Sequence, residues 1–235
     1  MRPVFRRLLW AAIVILVAGA LGLWLLERAA QHVPDFYQQA LAEQFTPQYL
    51  RQTSDQLERQ VLELHNHARR EGHWEAEFTE QQLNAWLAAD LERKFSQTLP
   101  RGVRDPRVKI SPDHIQLACR YEDEHWQLVL SLTVAVFLTD TPNELAVRIR
   151  EVRAGRVPLP LKQVLDAVTT QARQRALPLR WSQEQADPIA LIQIPTQAEQ
   201  HRGREMILES VSLRDGSVLV TGRTGRALSD QRRTP

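Results

Sequence analysis

The chain is poor in the residues that most often carry chemistry. It has one cysteine, Cys119, which excludes an internal disulfide framework and a metal site built from several thiolates. Glycine is also scarce, with nine in 235 residues, and no glycine-rich phosphate loop, GxSxG elbow, HExxH pair or CxxC motif occurs. Cys119 alternates with apolar neighbours, so we expect a buried core thiol. These absences predict a protein that is not an enzyme and that holds no metal and no cofactor.

An excess of one charge is lacking as well. The formal net charge of +2 includes Arg2, Arg6 and Arg7, so the rest of the chain is close to neutral. Proteins that bind nucleic acid concentrate basic residues on one face, and we therefore expect no nucleic-acid partner. Five arginines fall on predicted strands, where they form either an exposed sheet face or a rim that holds lipid phosphates. These are Arg107, Arg120, Arg148, Arg150 and Arg153.

One long apolar run is present, and it predicts a membrane anchor. Residues 8–26 contain no charge and no proline. As a helix they would extend about 28 Å, close to the ~30 Å hydrocarbon core of a bilayer. The basic residues before the run place the N-terminus in the cytoplasm. We expect a single-pass protein of the cytoplasmic (inner) membrane, with its domain in the periplasm or extracytoplasmic space.

A cleaved signal peptide is the alternative interpretation of the same run. Ala18-Gly19-Ala20 has the form of a cleavage site, but the apolar stretch is longer than a signal peptide needs. With the anchor retained, five segments follow from the sequence. They are a cytoplasmic tip (1–7), a transmembrane helix (8–26), a helical stalk (27–72), an extracytoplasmic α+β domain (73–224) and a disordered tail (225–235).

Two helical patterns precede the strands of the domain. The apolar residues from Pro34 to about Arg70 recur at helical spacing, and Pro47 predicts a break. A second helix, from Glu80 to about Lys94, begins with a capping box formed by Thr79 and Gln82. We also predict a third helix over residues 162–176, after two prolines that interrupt the sheet.

Alternating apolar residues after Pro106 predict a largely antiparallel sheet. Turns are expected at Pro112-Asp113 and at Asp215-Gly216. The strand from Trp126 to Leu138 is the longest, and at ~3.4 Å per residue it would extend about 44 Å. One of its faces is apolar throughout, so this strand must bend around the core or overhang it. The fold class is α+β.

The chain resembles a known family at several of these motifs. The segment Phe78-Thr79-Glu80-Gln81-Gln82-Leu83-Asn84-Ala85-Trp86-Leu87 and the turn Gly155-Arg156-Val157-Pro158-Leu159-Pro160 are similar to the YpmS-like bacterial membrane-anchored proteins, in the version found in planctomycetes. This resemblance covers residues 74 to 170. It implies an envelope domain in which a curved antiparallel sheet wraps one or two helices, as in tubular lipid-binding folds. It implies no catalytic residues.

Two functions are compatible with this pattern. The first is binding of a membrane lipid, or another apolar ligand, in a groove between the helix at 80–94 and the sheet. The predicted lining is Trp86, Leu128, Leu130, Leu132, Val134 and Val136. The second is a non-enzymatic scaffold or adaptor that positions an envelope protein partner near the membrane through Leu57, Val61 and Leu64 of the stalk.

Overall fold

The computed structural model describes residue 29 and residues 31–43, 46–95, 102–124, 127–174, 179–184, 187–194 and 204–226. The predicted transmembrane helix at 8–26 lies outside these residues. Within them, no helix combines the length and the apolar character that crossing a bilayer requires.

Short groups of helices precede and interrupt runs of antiparallel strands along the chain. The helices are α1 (Asp35–Ala42), α2 (Pro47–His67), α3 (Glu80–Trp86), α4 (Glu92–Phe95) and α5 (Leu161–Gln174), and a π-helical turn (Leu87–Leu91) joins α3 to α4. The strands are β1 (Gly72–Thr79), β2 (Val103–Ser111), β3 (His114–Glu122), β4 (Gln127–Leu138), β5 (Glu144–Ala154), β6 (Val157–Pro158), β7 (Leu179–Glu184), β8 (Asp187–Gln193), β9 (Arg204–Arg214) and β10 (Ser217–Arg226).

The strands form two antiparallel sheets. The larger sheet has seven strands in the order β2-β3-β4-β5-β8-β7, with β6 paired to β5, and the smaller sheet has the order β1-β10-β9. The α+β class with a mostly antiparallel sheet is therefore confirmed. The turns at Pro112-Asp113 and Asp215-Gly216 join β2 to β3 and β9 to β10, as predicted. Strands β1, β6 and β7 were not expected from the sequence, and β6 pairs with β5 although its Pro158 was predicted to interrupt the sheet.

The long strand β4 crosses the middle of the larger sheet. The pairing of β4 with β5 changes register after Thr133. Thr133 pairs with Glu151, but the next pair is Val134 with Ile149. The shift leaves Arg150 as an extra residue on β5. Such a bulge bends a strand and increases its twist, which allows an unusually long strand to follow a rounded core.

Helices α1 and α2 both pack on the strands. Tyr37 of α1 is 1% exposed, contacts Ala118 and Val129 of the larger sheet, and donates its hydroxyl to the carbonyl of Asp105 (2.8 Å). Helix α2 begins at Pro47, so the helix break lies where the proline predicts it.

Helix α3 covers the free edge of β2 with side chains that act as strand partners. The carboxamide of Asn84 accepts a hydrogen bond from the N–H of Val108 (2.8 Å) and donates one to the carbonyl of the same residue (2.9 Å). One turn earlier, the carboxylate of Glu80 accepts from the N–H of Ile110 (2.8 Å). The carbonyl of Ile110 accepts from the N–H of Gly216 (3.1 Å). These bonds satisfy edge groups that would otherwise be free to pair with another chain.

A second asparagine joins the two sheets. Asn143 lies in the turn between β4 and β5, is buried, and has φ of 58°. Its carboxamide accepts from the N–H of Leu208 (2.6 Å) and donates to the carbonyl of Met206 (2.7 Å), both on β9. Asparagine tolerates this left-handed conformation better than most residues do.

The smaller sheet closes over Trp74. The indole N–H donates to the hydroxyl of Thr224 (3.2 Å), which donates to the carbonyl of Ala68 (2.7 Å). A Cβ atom at Gly222 would lie 2.2 Å from Cζ2 of Trp74, so only glycine fits beside this ring.

Replacing the edge partner tests the role of α3. We expect Asn84→Ala to lower the free energy of unfolding by about 2–4 kcal/mol, because it leaves two backbone groups of Val108 without partners. The measurement is urea unfolding of the full chain in mild detergent, followed by tryptophan fluorescence. Gln81→Ala, at an exposed position of the same helix, is the matched control and should change little.

The contact at Gly222 predicts a second stability difference. Gly222→Ala should lower the free energy of unfolding by about 1–3 kcal/mol, because the new methyl group collides with Trp74. Gly225→Ala is the control, since a Cβ atom at Gly225 has no neighbour within 4 Å. Equal stability of the two variants in the same urea titration would contradict the close packing.

Candidate functional site

The larger sheet carries a continuous apolar face across four neighbouring strands. Residues directly opposite each other in antiparallel strands point to the same face, so the pairing defines rows of side chains. One row consists of Val108, Leu117, Leu132 and Val152, and the next consists of Ile110, Ile115, Val134 and Ile149. Two further pairs continue this face, Cys119 with Leu130 and Tyr121 with Leu128.

Helix α5 covers one part of this face. Leu161 and Leu165 of the helix pack against the buried residues Val134, Ile149 and Val152, together with Leu159 and Trp181. The indole N–H of Trp181 donates to the hydroxyl of Thr169 (2.7 Å) and ties β7 to the helix. This part of the face is an ordinary hydrophobic core.

The other part of the face is less covered. Leu117 is 39% exposed, although it belongs to an apolar row. Cys119, Tyr121, Leu128 and Leu130 are each partly exposed. Burial still raises the pKa of the Cys119 thiol, so this side chain is a neutral thiol near pH 7. Within the described residues, a patch of half-exposed apolar side chains therefore lies beside a packed core.

The structure brings some of the predicted lining residues together and separates one. Leu132, Val134 and Val136 belong to the cluster beneath α5, and Leu128 and Leu130 continue the same strand face. Trp86 lies elsewhere: its indole N–H donates to the carboxylate of Glu58 on α2 (3.1 Å).

The helix beside this face is α5. Helix α3, which the sequence predicts as the wall of a groove, lies along the edge of β2 instead. The signal for α5 in the sequence was its apolar residues after the two prolines at 158 and 160.

The arginines on the strands are mostly neutralised by carboxylates. Arg120 binds Asp105, Arg153 binds Glu151, and Arg150 binds Asp113 (3.1 Å). The guanidinium of Arg148 lies 5.3 Å from the ring centroid of Phe137, an arrangement typical of a cation–π contact. The geometry favours an exposed sheet face over a phosphate-binding rim.

A separate cleft of about 500 Å³ lies between the start of α2 and the π-helical turn. It is lined by Pro47, Leu50, Arg51, Asp55, Ala89, Asp90 and Arg93. Asp90 is 3% exposed and its carboxylate accepts hydrogen bonds from Ser54 and Arg93. Sequence reasoning missed this network, although Arg93 and Lys94, three and four residues after Asp90, are a typical helical signal for ion pairs.

The network binds α2 to the π-helical turn, and its carboxylates are held in the ionised form. Burial acts to raise the pKa of Asp90, but the bonds from Ser54 and Arg93 and the charge of Lys94 outweigh it, so the pKa is lowered. The bond from Lys94 also holds the pKa of Glu58 below its usual range. A general acid needs a raised pKa near neutrality. In the described part of the chain, no group of three or more His, Cys, Asp or Glu residues is placed to hold a metal ion.

Acid titration tests the Asp90 network. Because folding lowers the pKa of Asp90 below its ordinary 3.8, the folded state binds the proton less tightly than the unfolded state. Its stabilisation is therefore complete above about pH 4 and lost as the pH falls through the folded value. We expect Asp90→Asn to be less stable than the wild type at pH 7, with a difference that shrinks below pH 4.

The measurement is urea unfolding of both proteins from pH 3 to pH 7. Asp55→Asn, in the exposed part of the same cleft, should remain within about 0.5 kcal/mol of the wild type at pH 7. A stability difference between Asp90→Asn and the wild type that does not change with pH would contradict the assignment.

Comparison with known proteins adds no relative: no protein-family model, no curated protein and no solved structure matches the chain.

Proposed function

We propose that the chain is a single-pass membrane protein whose extracytoplasmic domain binds a lipid or another apolar ligand on the larger sheet. The proposed site is the half-exposed face formed by Leu117, Cys119, Tyr121, Leu128 and Leu130, with α5 as its neighbour. Leu132, Val134 and Val136 continue the face beneath the helix. The role is binding, and no catalytic step is proposed.

The observation that supports this proposal is an apolar sheet face that helix α5 covers only in part. The apolar rows run from β2 to β5, whereas α5 packs mainly on their β4 and β5 residues, around Val134, Ile149 and Val152. Leu117 is exposed and adjoins the partly exposed Cys119 and Leu130, and it is a contiguous apolar patch of this kind that marks ligand grooves and membrane contacts. An acyl chain bound on this face would remove the partly exposed apolar side chains from water.

The resemblance to the YpmS-like family supports the same proposal. We propose a curved sheet that wraps α5, in the manner of tubular lipid-binding folds. The bulge of β5 opposite Thr133 supports the curvature. The proposal includes the membrane helix at 8–26, the cytoplasmic N-terminus and the extracytoplasmic domain.

The adaptor function has weaker support. It requires exposed apolar residues on the helix preceding the domain, but Leu57 is buried and Leu64 packs in the cluster around Trp74. Val61 and Leu62, which are 50% and 59% exposed, could still contact a protein partner. Two adjacent exposed side chains form a small surface, so lipid binding remains the preferred proposal.

Protection of the native cysteine tests lipid binding. Cys119 lies directly opposite Leu130 and is the one cysteine of the chain. In the full chain held in amphipol at pH 8.5, we expect a single-chain lysophospholipid to slow maleimide labelling of Cys119 several-fold in a saturable manner, because it covers the thiol.

Leu130→Trp, which fills the site, should label slowly with or without lipid. Leu62→Trp on α2 is the control and should behave like the wild type. Lipid-independent labelling of the wild type would count against the site.

A further inference from the structure

The chain enters the folded domain at one end of the larger sheet. The carbonyl of Ala29 accepts a hydrogen bond from the N–H of Arg156, in the turn between β5 and β6 (2.8 Å). A few residues later, Val33 and Phe36 pack with Tyr37 on the sheet. The segment from Ala29 to Tyr37 therefore packs on the domain. It does not act as a spacer between the domain and the residues that precede Ala29.

The length of chain before Ala29 limits how far the domain can stand from the bilayer. Leu26, the last residue of the proposed transmembrane helix, is three residues away, and three residues extend at most about 11 Å. If that helix spans the membrane, the turn at Arg156 lies close to the headgroups.

The same end of the sheet carries the half-exposed apolar patch. The N–H of Gly155 donates to the carbonyl of Val129 (2.8 Å), so the turn that contacts Ala29 also contacts the start of β4. Leu128 and Leu130 flank Val129 in the chain and point to the opposite, apolar face, where Tyr121 lies opposite Leu128. The patch and the chain entry therefore share one end of the sheet.

From this placement we infer that the apolar face is loaded directly from the adjoining membrane leaflet, and that its ligand is an acyl chain of a bilayer phospholipid. Tyr121, Leu128 and Leu130 form the mouth through which the chain enters. This inference rests on the proposed function, and it adds the source of the ligand and the end at which it enters. The short link to the membrane keeps the mouth within reach of the lipid.

Photocrosslinking in a bilayer tests this inference. The full chain is placed in nanodiscs that contain phosphatidylcholine with a diazirine near the end of one acyl chain. We expect crosslinks within residues 114–138, in addition to those within 8–26. Crosslinks confined to residues 8–26 would overturn the inference.

Lengthening the link provides a variant that leaves the folded residues unchanged. An insertion of about twelve Gly-Ser residues between Glu27 and Arg28 adds an r.m.s. length of about 20 Å. It should lower crosslinking within 114–138 by about fivefold relative to 8–26, because the effective concentration of the membrane at the mouth falls. Unchanged crosslinking in this variant would also overturn the inference.

A soluble probe separates this inference from the proposed function. The same chain in amphipol is irradiated with a diazirine fatty acid, which reaches the face without a bilayer. Labelling of 114–138 by both probes supports both statements. Labelling by the soluble probe alone overturns entry from the leaflet and leaves lipid binding intact, whereas labelling by neither overturns both.

Leu128→Glu places a charge at the mouth. It should lower labelling of residues 114–138 both from the nanodisc and by the fatty acid, because Leu128 belongs to the proposed site. Leu62→Glu on α2 is the matched control and should label like the wild type with both probes. Loss of fatty-acid labelling alone, with nanodisc labelling retained, would contradict the assignment of the mouth.

Discussion

The structure depends on closing the edges of two open sheets. An edge strand presents unpaired N–H and carbonyl groups, which cost free energy when buried and invite pairing with other chains when exposed. Here the carboxamides of Asn84 and Asn143 each bond to both kinds of backbone group on an edge, as a neighbouring strand would. Helix α3 is thereby held along β2, and β9 is held at the turn between β4 and β5.

This constraint gives a physical meaning to the most specific motif of the chain. Thr79 and Gln82 cap α3, which begins where β1 ends. Glu80 and Asn84 lie one turn apart on the helix. They bond to the backbone of Ile110 and Val108, two alternate residues of β2 whose backbone groups point away from β3. Substitution of either pair would affect the start of the helix or its attachment to the strand. The contacts of the motif in the structure are consequently those of folding.

The use of α3 at a sheet edge leaves part of the apolar face of the larger sheet uncovered. Because α3 lies along an edge, it does not cover the apolar face of β3 and β4, and α5 packs mainly around Val134, Ile149 and Val152 of β4 and β5. The polar network of Ser54, Asp90 and Arg93 is likewise committed to holding α2 against the π-helical turn. Among the described residues, apolar surface near Leu117 and Leu130 is left partly uncovered, and this is why lipid is the proposed ligand.

The sequence by itself determined the elements that depend on local interactions. The capping box, the break at Pro47, the two hairpin turns and the apolar alternation of β4 are all readable from residues near one another in the chain. Tertiary structure alone decided which helix covers which face, that Trp86 contacts α2, and that Asp90 is buried under Ser54. Those outcomes depend on pairing between residues far apart in the chain, where local propensity carries no information about the partner.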